Sequence, residues 1–160
     1  MIELSEDQFV EALNSADELG MVLRSHLHIE HKLEVFIKSA APNYSKYEKQ
    51  LNLEYNSKVL LSCALGLSDS LRGPLQAVGQ LRNRFAHKPN FALTSSIVKA
   101  VYATFSEPHK QQLRIAYSEV AKRTKRTEKQ YDQLSAEGQL GIIFMFLRSK
   151  MKLAIEQLTQ

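Results

Sequence analysis

The sequence is poor in the residues that crosslink or interrupt a polypeptide. Its 160 residues include one cysteine, four prolines, six glycines and no tryptophan. The single Cys63 excludes an internal disulfide, and its apolar neighbours predict a buried thiol. The sequence also lacks a glycine-rich phosphate loop, a short-period repeat and any extended strand-like alternation of apolar and polar residues. These absences exclude a disulfide-stapled fold and a P-loop nucleotide site, and they leave helices as the expected structure.

Long apolar runs are also missing. No uncharged run is longer than that of residues 138–147, which is about half of the roughly 20 residues that a membrane-spanning helix needs. The first residues are acidic and contain neither the basic nor the apolar region of a secretory leader, which predicts a cytoplasmic protein. With 44% hydrophobic and 24% charged residues, the chain has the composition of a folded globular protein. Residues 1–160 are predicted to form one domain.

Charge is divided unevenly along the chain. Residues 1–80 contain 7 lysines and arginines against 11 acidic residues, whereas residues 81–160 contain 14 against 6. The basic half indicates a polyanionic partner such as RNA or DNA. The alternative is that the two halves complement each other, either within one chain or between subunits.

Apolar residues recur every three or four positions along most of the sequence, which is typical of amphipathic helices. Residues able to cap a helix N-terminus precede these stretches, and Ser5 with Gln8 has the spacing of a capping box. The pattern predicts an all-α antiparallel bundle of about six to seven helices. The helix after Ser57 is apolar nearly all round and is therefore expected to be the most buried. The predicted caps are Ser5, Ser15, Ser57, Thr94 or Ser95, Ser106 and Ser135.

Residues 41–56 interrupt the helical periodicity and predict a long loop. The segment contains Tyr44, Tyr47 and Tyr55 among lysines. Such tyrosines can stack on single-stranded bases, although tyrosines that pack over the end of a bundle are the more common case.

Histidines cluster on the predicted second helix, where His26, His28 and His31 accompany Glu30. Two histidines four residues apart with a third ligand nearby would predict a zinc site, and that spacing is absent. We therefore expect no metal and no other cofactor. His26 is expected to be a packed, hydrogen-bonded imidazole, and His28 and His31 are expected to be solvated.

Two features of the C-terminal half concern partners. The basic run 122–126 follows a predicted helix, and its Arg123 and Arg126 are candidates for phosphate contacts. A solvated helix end is the alternative. The last helix has apolar residues beyond a single stripe, which favours burial on a second side, as in a dimer interface. These residues are Ile142, Met145 and Phe146.

The densest set of candidate functional residues lies just before Pro89, at the end of one amphipathic helix. Arg82, Asn83 and His87 fall outside the apolar stripe of that helix. An imidazole can move a proton at neutral pH, an arginine can stabilise a phosphorane, and an amide can orient the imidazole or bind a phosphate oxygen. These residue types suit metal-free cleavage of RNA, in which the 2′-hydroxyl is the nucleophile. Alternatively, they cap the last carbonyls of the helix.

The same residues carry a family resemblance. Arg82-Asn83, three residues and then His87 resembles the Arg-polar-x-x-x-His motif of the HEPN superfamily, small helical domains that include metal-independent ribonucleases. The helix from Ser57 to Leu67, with its Ala-Leu-Gly-Leu ending, and the helix that follows it are similar to the mannitol-operon-repressor branch.

The resemblance implies a HEPN-like bundle that forms a homodimer. In such a dimer Arg82, Asn83 and His87 of both subunits would face one cleft, and Arg84 and Lys88 would draw the RNA backbone toward it. The expected activity is that of a metal-independent endoribonuclease. Mannitol-repressor-like relatives are described as regulators that act through protein partners, so a non-catalytic transcriptional regulator that binds protein or DNA is the alternative. An antitoxin or a regulatory protein is a further expected partner, although toxin members carry a tyrosine two residues after the histidine, where this chain has a proline.

Overall fold

The computed structural model describes residues 5–14, 17–124 and 129–160, and these residues form helices with short connections and no β-strand. The predicted all-α class is confirmed, but the described residues contain eight α-helices, which is more than the six to seven predicted. No helix in these ranges is both long enough and apolar enough to cross a membrane. The helices are α1 (Glu6–Leu13), α2 (Glu18–Ala40), α3 (Tyr44–Leu51), α4 (Tyr55–Ala64), α5 (Arg72–His87), α6 (Ser95–Ala103), α7 (Glu107–Arg123) and α8 (Ala136–Leu158), with 3₁₀ turns at Asp69–Leu71 and Tyr131–Gln133.

The two longest helices, α2 and α8, lie against each other and form the centre of the fold. α1, α4 and α5 cover the rest of α2, whereas α6 and α7 contact α8. The largest fully buried side chains come mostly from these two central helices. The prediction that the helix after Ser57 is the most buried is therefore wrong, since only Val59 and Ser62 of α4 are buried.

Helix starts follow the predicted caps at most positions. Ser5 and Gln8 form the capping box at the start of α1. Thr94, Ser106 and Ser135 each accept the backbone N–H three residues later, at the starts of α6, α7 and α8. Ser15 lies outside the described residues, and Asp17 caps α2. The predicted cap at Ser57 is wrong, because α4 begins two residues earlier, at Tyr55.

The predicted long loop at 41–56 contains a helix instead. α3 places Tyr44 in the core, and Lys38 of α2 pairs with Glu48 of α3 at 2.9 Å. The helix ends at Asn52, whose φ of 43° is the left-handed conformation that commonly terminates helices. Tyr44, Tyr47 and Leu51 have helical spacing. This pattern indicates α3 only weakly, because it is short and lysines lie between its residues.

The apolar excess on α8 is only partly taken up within the chain. Phe146 is buried, and its ring meets Phe105 and His109 edge-on. Ile142 is half-buried and Met145 is exposed. The predicted burial on a second side is therefore confirmed for Phe146, and it takes place inside one chain.

Candidate functional site

Helix α5 carries the Arg-Asn-x-x-x-His residues in its last two turns. Pro74 lies in the first turn of α5, where its missing N–H costs no helical hydrogen bond. The buried face comprises Leu75, Val78, Leu81 and Phe85 among others. The helix ends because Lys88 takes an extended conformation, with φ −122° and ψ 101°, immediately before Pro89.

Arg82 and Asn83 bond to each other at the edge of this buried face. Nη1 of Arg82 donates to Oδ1 of Asn83 at 3.1 Å. Arg82 is half-buried and Asn83 is exposed. Neither side chain bonds a backbone carbonyl in the described part of the chain, so the structure does not give them the capping role that the sequence left open.

His87 lies four residues after Asn83 and therefore on the same side of the helix, one turn further on. Its ring is exposed, and it has no hydrogen-bond partner within the described ranges. Ala86, between the two turns, is also exposed. The imidazole can thus reach a ligand that contacts the Arg82–Asn83 pair.

The two other predicted basic residues of this segment are exposed as well. The guanidinium of Arg84 lies 4.4 Å from the centre of the Phe91 ring, and that ring packs edge-on against Phe85 at 4.8 Å. Lys88 bonds through its backbone N–H to the carbonyl of Arg84. No described acidic residue forms an ion pair with Arg82, Arg84 or Lys88, so this end of α5 presents uncompensated positive charge.

The buried His26 of α2 is coupled to Arg82 electrostatically. Burial is the main cause that lowers the pKa of His26 to about 4; Glu30 opposes this shift, and the charges of Arg82 and Lys58 contribute to it. The prediction of a hydrogen-bonded imidazole is wrong, since both ring nitrogens lack a partner among the described residues. His28 is also buried, edge-on to Phe9, so its predicted solvation is wrong too.

Metal binding finds no support in this region. Nowhere in residues 5–14, 17–124 and 129–160 do three histidine, cysteine or acidic side chains gather so that they could hold a metal ion. Glu30 and Glu34 instead bind the ammonium group of Lys58, at 2.7 and 2.6 Å.

The distal basic residues lie on a different part of the fold. Arg123 is exposed in the last turn of α7. That helix packs mainly on α8 and on the turn at Tyr131–Gln133, whereas α5 packs mainly on α2, α4 and α6. Arg126 lies outside the described residues.

Two residues that the sequence pattern does not single out, Tyr55 and Gly79, contact each other on the turn before this site. Tyr55 falls in the predicted loop at 41–56, but it starts α4, and its hydroxyl donates to a backbone carbonyl of α5. A glycine in the interior of a helix is the signal that could have found the contact, because it marks a close approach by a neighbour.

Taken together, the end of α5 offers a guanidinium that bonds a neighbouring amide, and an exposed imidazole among basic side chains without a described acidic partner. Such a set can bind a phosphodiester and exchange a proton with it. No protein-family model, no curated protein and no solved structure matches this chain.

Proposed function

We propose that the protein is a metal-independent endoribonuclease of the HEPN type. The observation that carries the proposal is the exposed, unpartnered His87 beside the hydrogen-bonded pair of Arg82 and Asn83. A histidine that served only to cap the helix would bond a backbone carbonyl. Removing an exposed side chain that has no partners is expected to change folding stability little. A ligand therefore explains the exposed imidazole of His87 better than a structural role does.

The chemistry needs one group to accept a proton and one to donate a proton. His87 accepts the proton of the 2′-hydroxyl as the 2′-oxygen attacks phosphorus. The bond from phosphorus to the 5′-oxygen then breaks, and a protonated imidazole supplies the proton of the leaving hydroxyl. Arg82 stabilises the negative charge on the pentacovalent phosphorane, and Asn83 holds the guanidinium in place. The products are a 2′,3′-cyclic phosphate and a free 5′-hydroxyl.

A second copy of the chain supplies the second imidazole. One chain brings a single histidine to the end of α5, so a two-fold dimer completes the acid–base pair. A row of leucines on α2 suits such a contact: Leu19 and Leu27 are 44% and 55% exposed, and half-buried Leu23 lies between them. Leu23 is three residues before His26 and so on the same side of α2, a helix that packs against α5.

Basic residues away from the motif would hold the RNA backbone. Arg84 and Lys88 lie next to the site, and Arg123 extends the positive surface if the dimer brings α7 of one subunit near α5 of the other. Arg126 remains a further candidate from the sequence. Each phosphate contact makes binding weaker at higher salt. For single strands, the logarithm of the binding constant falls against the logarithm of the salt concentration with a slope of roughly 0.7 per contact.

The decisive test is incubation of the purified protein with mixed RNA in EDTA. We expect cleavage with 2′,3′-cyclic phosphate ends, and we expect His87→Ala to lower the rate roughly 10²–10⁴-fold. Arg82→Ala should lose a comparable factor because the phosphorane charge is then unsupported. Arg72→Ala, at the exposed start of the same helix, is the matched control and should cleave as wild type. Cleavage that survives in both motif variants, or that requires added metal, would refute the proposal.

A non-catalytic regulator is the second candidate, and the exposure of α7 favours it. Leu113 is the only residue of this 17-residue helix that is buried. Ile115 and Val120 are 59% and 47% exposed beside the basic end of the helix, which suits an acidic protein surface or DNA. A folded protein that cleaves no RNA, but loses duplex DNA binding in Lys122→Glu/Arg123→Glu, would establish this role instead.

A further inference from the structure

Tyr55 of α4 packs on the turn of α5 that precedes Arg82. A Cβ atom on Gly79 would lie 2.5 Å from Cε1 and 2.7 Å from Cδ1 of Tyr55, so the ring rests directly on the helix backbone. The hydroxyl of the same tyrosine donates to the carbonyl of Leu75 at 2.8 Å. That carbonyl is four residues before Gly79 and is therefore the regular acceptor for its N–H in an α-helix. The tyrosine thus fixes the one turn from Leu75 to Gly79, and Arg82 follows three residues later.

His26 packs against the tyrosine ring. The two ring centres are 4.2 Å apart, and His26 is only 2% exposed. A core that needed only bulk at this position would be better served by leucine, because each buried polar atom without a partner costs about 1–3 kcal/mol. Both nitrogens of His26 are in that condition within the described chain. The cost calls for a functional explanation, and the tyrosine that His26 contacts is the residue that holds the turn before Arg82.

We propose that Tyr55 and His26 are positioning residues for Arg82. Tyr55 sets the turn of α5 from which the arginine projects, and the ring of His26 packs against the tyrosine and holds it on that turn. Asn83 bonds the guanidinium itself. The placement of Arg82 does not depend on any activity of the protein, whereas its consequence for RNA cleavage rests on the proposed nuclease function.

The first measurement follows Arg82 itself, by the NMR signal of its Nε–Hε group, assigned from its loss in Arg82→Lys. Tyr55→Phe removes the bond to Leu75 but keeps the ring, and His26→Leu removes the imidazole that packs against the tyrosine. Both variants should shift the Arg82 signal. Tyr117→Phe is the matched control, because its hydroxyl also donates to a backbone carbonyl, that of Lys129 at 3.0 Å, but on another part of the fold.

The second measurement is cleavage of RNA by the same variants. We expect kcat to fall roughly 10²-fold in His26→Leu and by a smaller factor in Tyr55→Phe, with KM little changed, because a misplaced catalytic group lowers the rate of the chemical step. Tyr117→Phe should match wild type in kcat while losing a similar amount of thermal stability to Tyr55→Phe.

The outcomes separate the two proposals. A shifted Arg82 signal in a protein that cleaves no RNA would support the positioning role and refute the nuclease. An unmoved signal with wild-type kcat in Tyr55→Phe and His26→Leu would overturn the positioning role and leave the nuclease intact. If His26→Leu does not fold, Tyr55→Phe decides alone, and a loss of kcat no greater than that of Tyr117→Phe would refute the positioning role.

Discussion

Burial separates the two histidines that lie nearest to the candidate site. His87 stands exposed at the end of α5, whereas His26 is enclosed by α2, α4 and α5. The groups that act on His26 are the carboxylate of Glu30 and the cations Arg82 and Lys58. Desolvation outweighs the carboxylate, so the folded protein holds His26 uncharged. This difference makes the buried histidine a determinant of stability and leaves the exposed one free for chemistry.

The uncharged state of His26 predicts a pH dependence of stability. Its folded pKa of about 4 lies below the unfolded value of 6.5, so the unfolded chain binds the proton more tightly. The stabilisation is therefore complete above about pH 6.5 and is lost as the pH falls toward about 4, at up to roughly 1.4 kcal/mol per pH unit. His28 and His109, whose pKa values burial also lowers, act in the same direction.

Urea unfolding of His26→Leu across this pH range is the measurement. The variant should lose a large part of the slope of unfolding free energy against pH, although His28 and His109 leave a remainder. A slope equal to that of wild type would show that folding does not change the pKa of His26.

Among the elements, α4 is attached to α2 by charge more than by burial. Only Val59 and Ser62 of this helix are buried. Lys58 binds Glu30 and Glu34 with 12% of its side chain exposed, and the two carboxylates are 25% and 23% exposed. Burial lowers the pKa of Lys58, and its two carboxylate partners raise it by more, so the ammonium group stays charged. Removing it would leave two partly buried carboxylates facing each other.

Lys58→Met should therefore destabilise the protein by about 1–3 kcal/mol, less than for a fully buried pair because the carboxylates keep some solvent. Unfolding in urea measures the loss. Replacing the partners as well, in Lys58→Met/Glu30→Gln/Glu34→Gln, should recover part of it. Lys110→Met breaks the pair with Glu107, which is 80% exposed, and should change stability by less than about 1 kcal/mol. Equal losses for the two lysines would contradict the argument.

For the whole molecule, two observations lead us to expect a homodimer. Apolar side chains of α2 and α8 are exposed, and the proposed reaction needs a second imidazole besides that of His87. The exposed leucines of α2 lie on a helix that packs against α5, whereas Met145 and Leu153, 40% and 48% exposed, lie on α8. A two-fold axis near the α2 row would bring two motifs together, since an isologous contact repeats the same surface on both subunits. A two-fold axis at α8 would instead join the subunits through a helix other than α5.

Leu19→Glu/Leu27→Glu tests this arrangement. Charged residues on the row should dissociate the dimer to the chain mass of 18.2 kDa, measured by light scattering after gel filtration, and should abolish RNA cleavage with it. Met145→Glu/Leu153→Glu is the matched variant and should remain dimeric and active. The opposite result would move the interface to α8.

Features that depend on a few neighbouring residues could be predicted from the sequence alone. The capping box of Ser5 and the caps at Ser106 and Ser135 are confirmed because each is a hydrogen bond between residues three apart. The extent of α5 was predictable for the same reason, since Pro74 and Pro89 act on their immediate neighbours. The candidate residues Arg82, Asn83 and His87 were recognisable because they fall outside a regular apolar stripe.

Burial could not be predicted, because it depends on which helices meet. An apolar sequence in α4 resembles a core helix, yet the chain gives the central positions to α2 and α8. His28 sits in a polar stretch and is buried because α1 covers it with Phe9. Neither outcome is encoded in the local pattern of the helix concerned.

The sequence by itself determined that this protein is helical, where most of its helices begin, and which side chains stand ready at the end of α5. Only the tertiary structure decided which residues pack against the turn of α5 that precedes Arg82. His26, Tyr55 and Gly79 are far apart along the chain, and local signals carry no information about contacts of that range. Their meeting depends on how α2, α4 and α5 pack, which is set by the burial of apolar surface over the whole core.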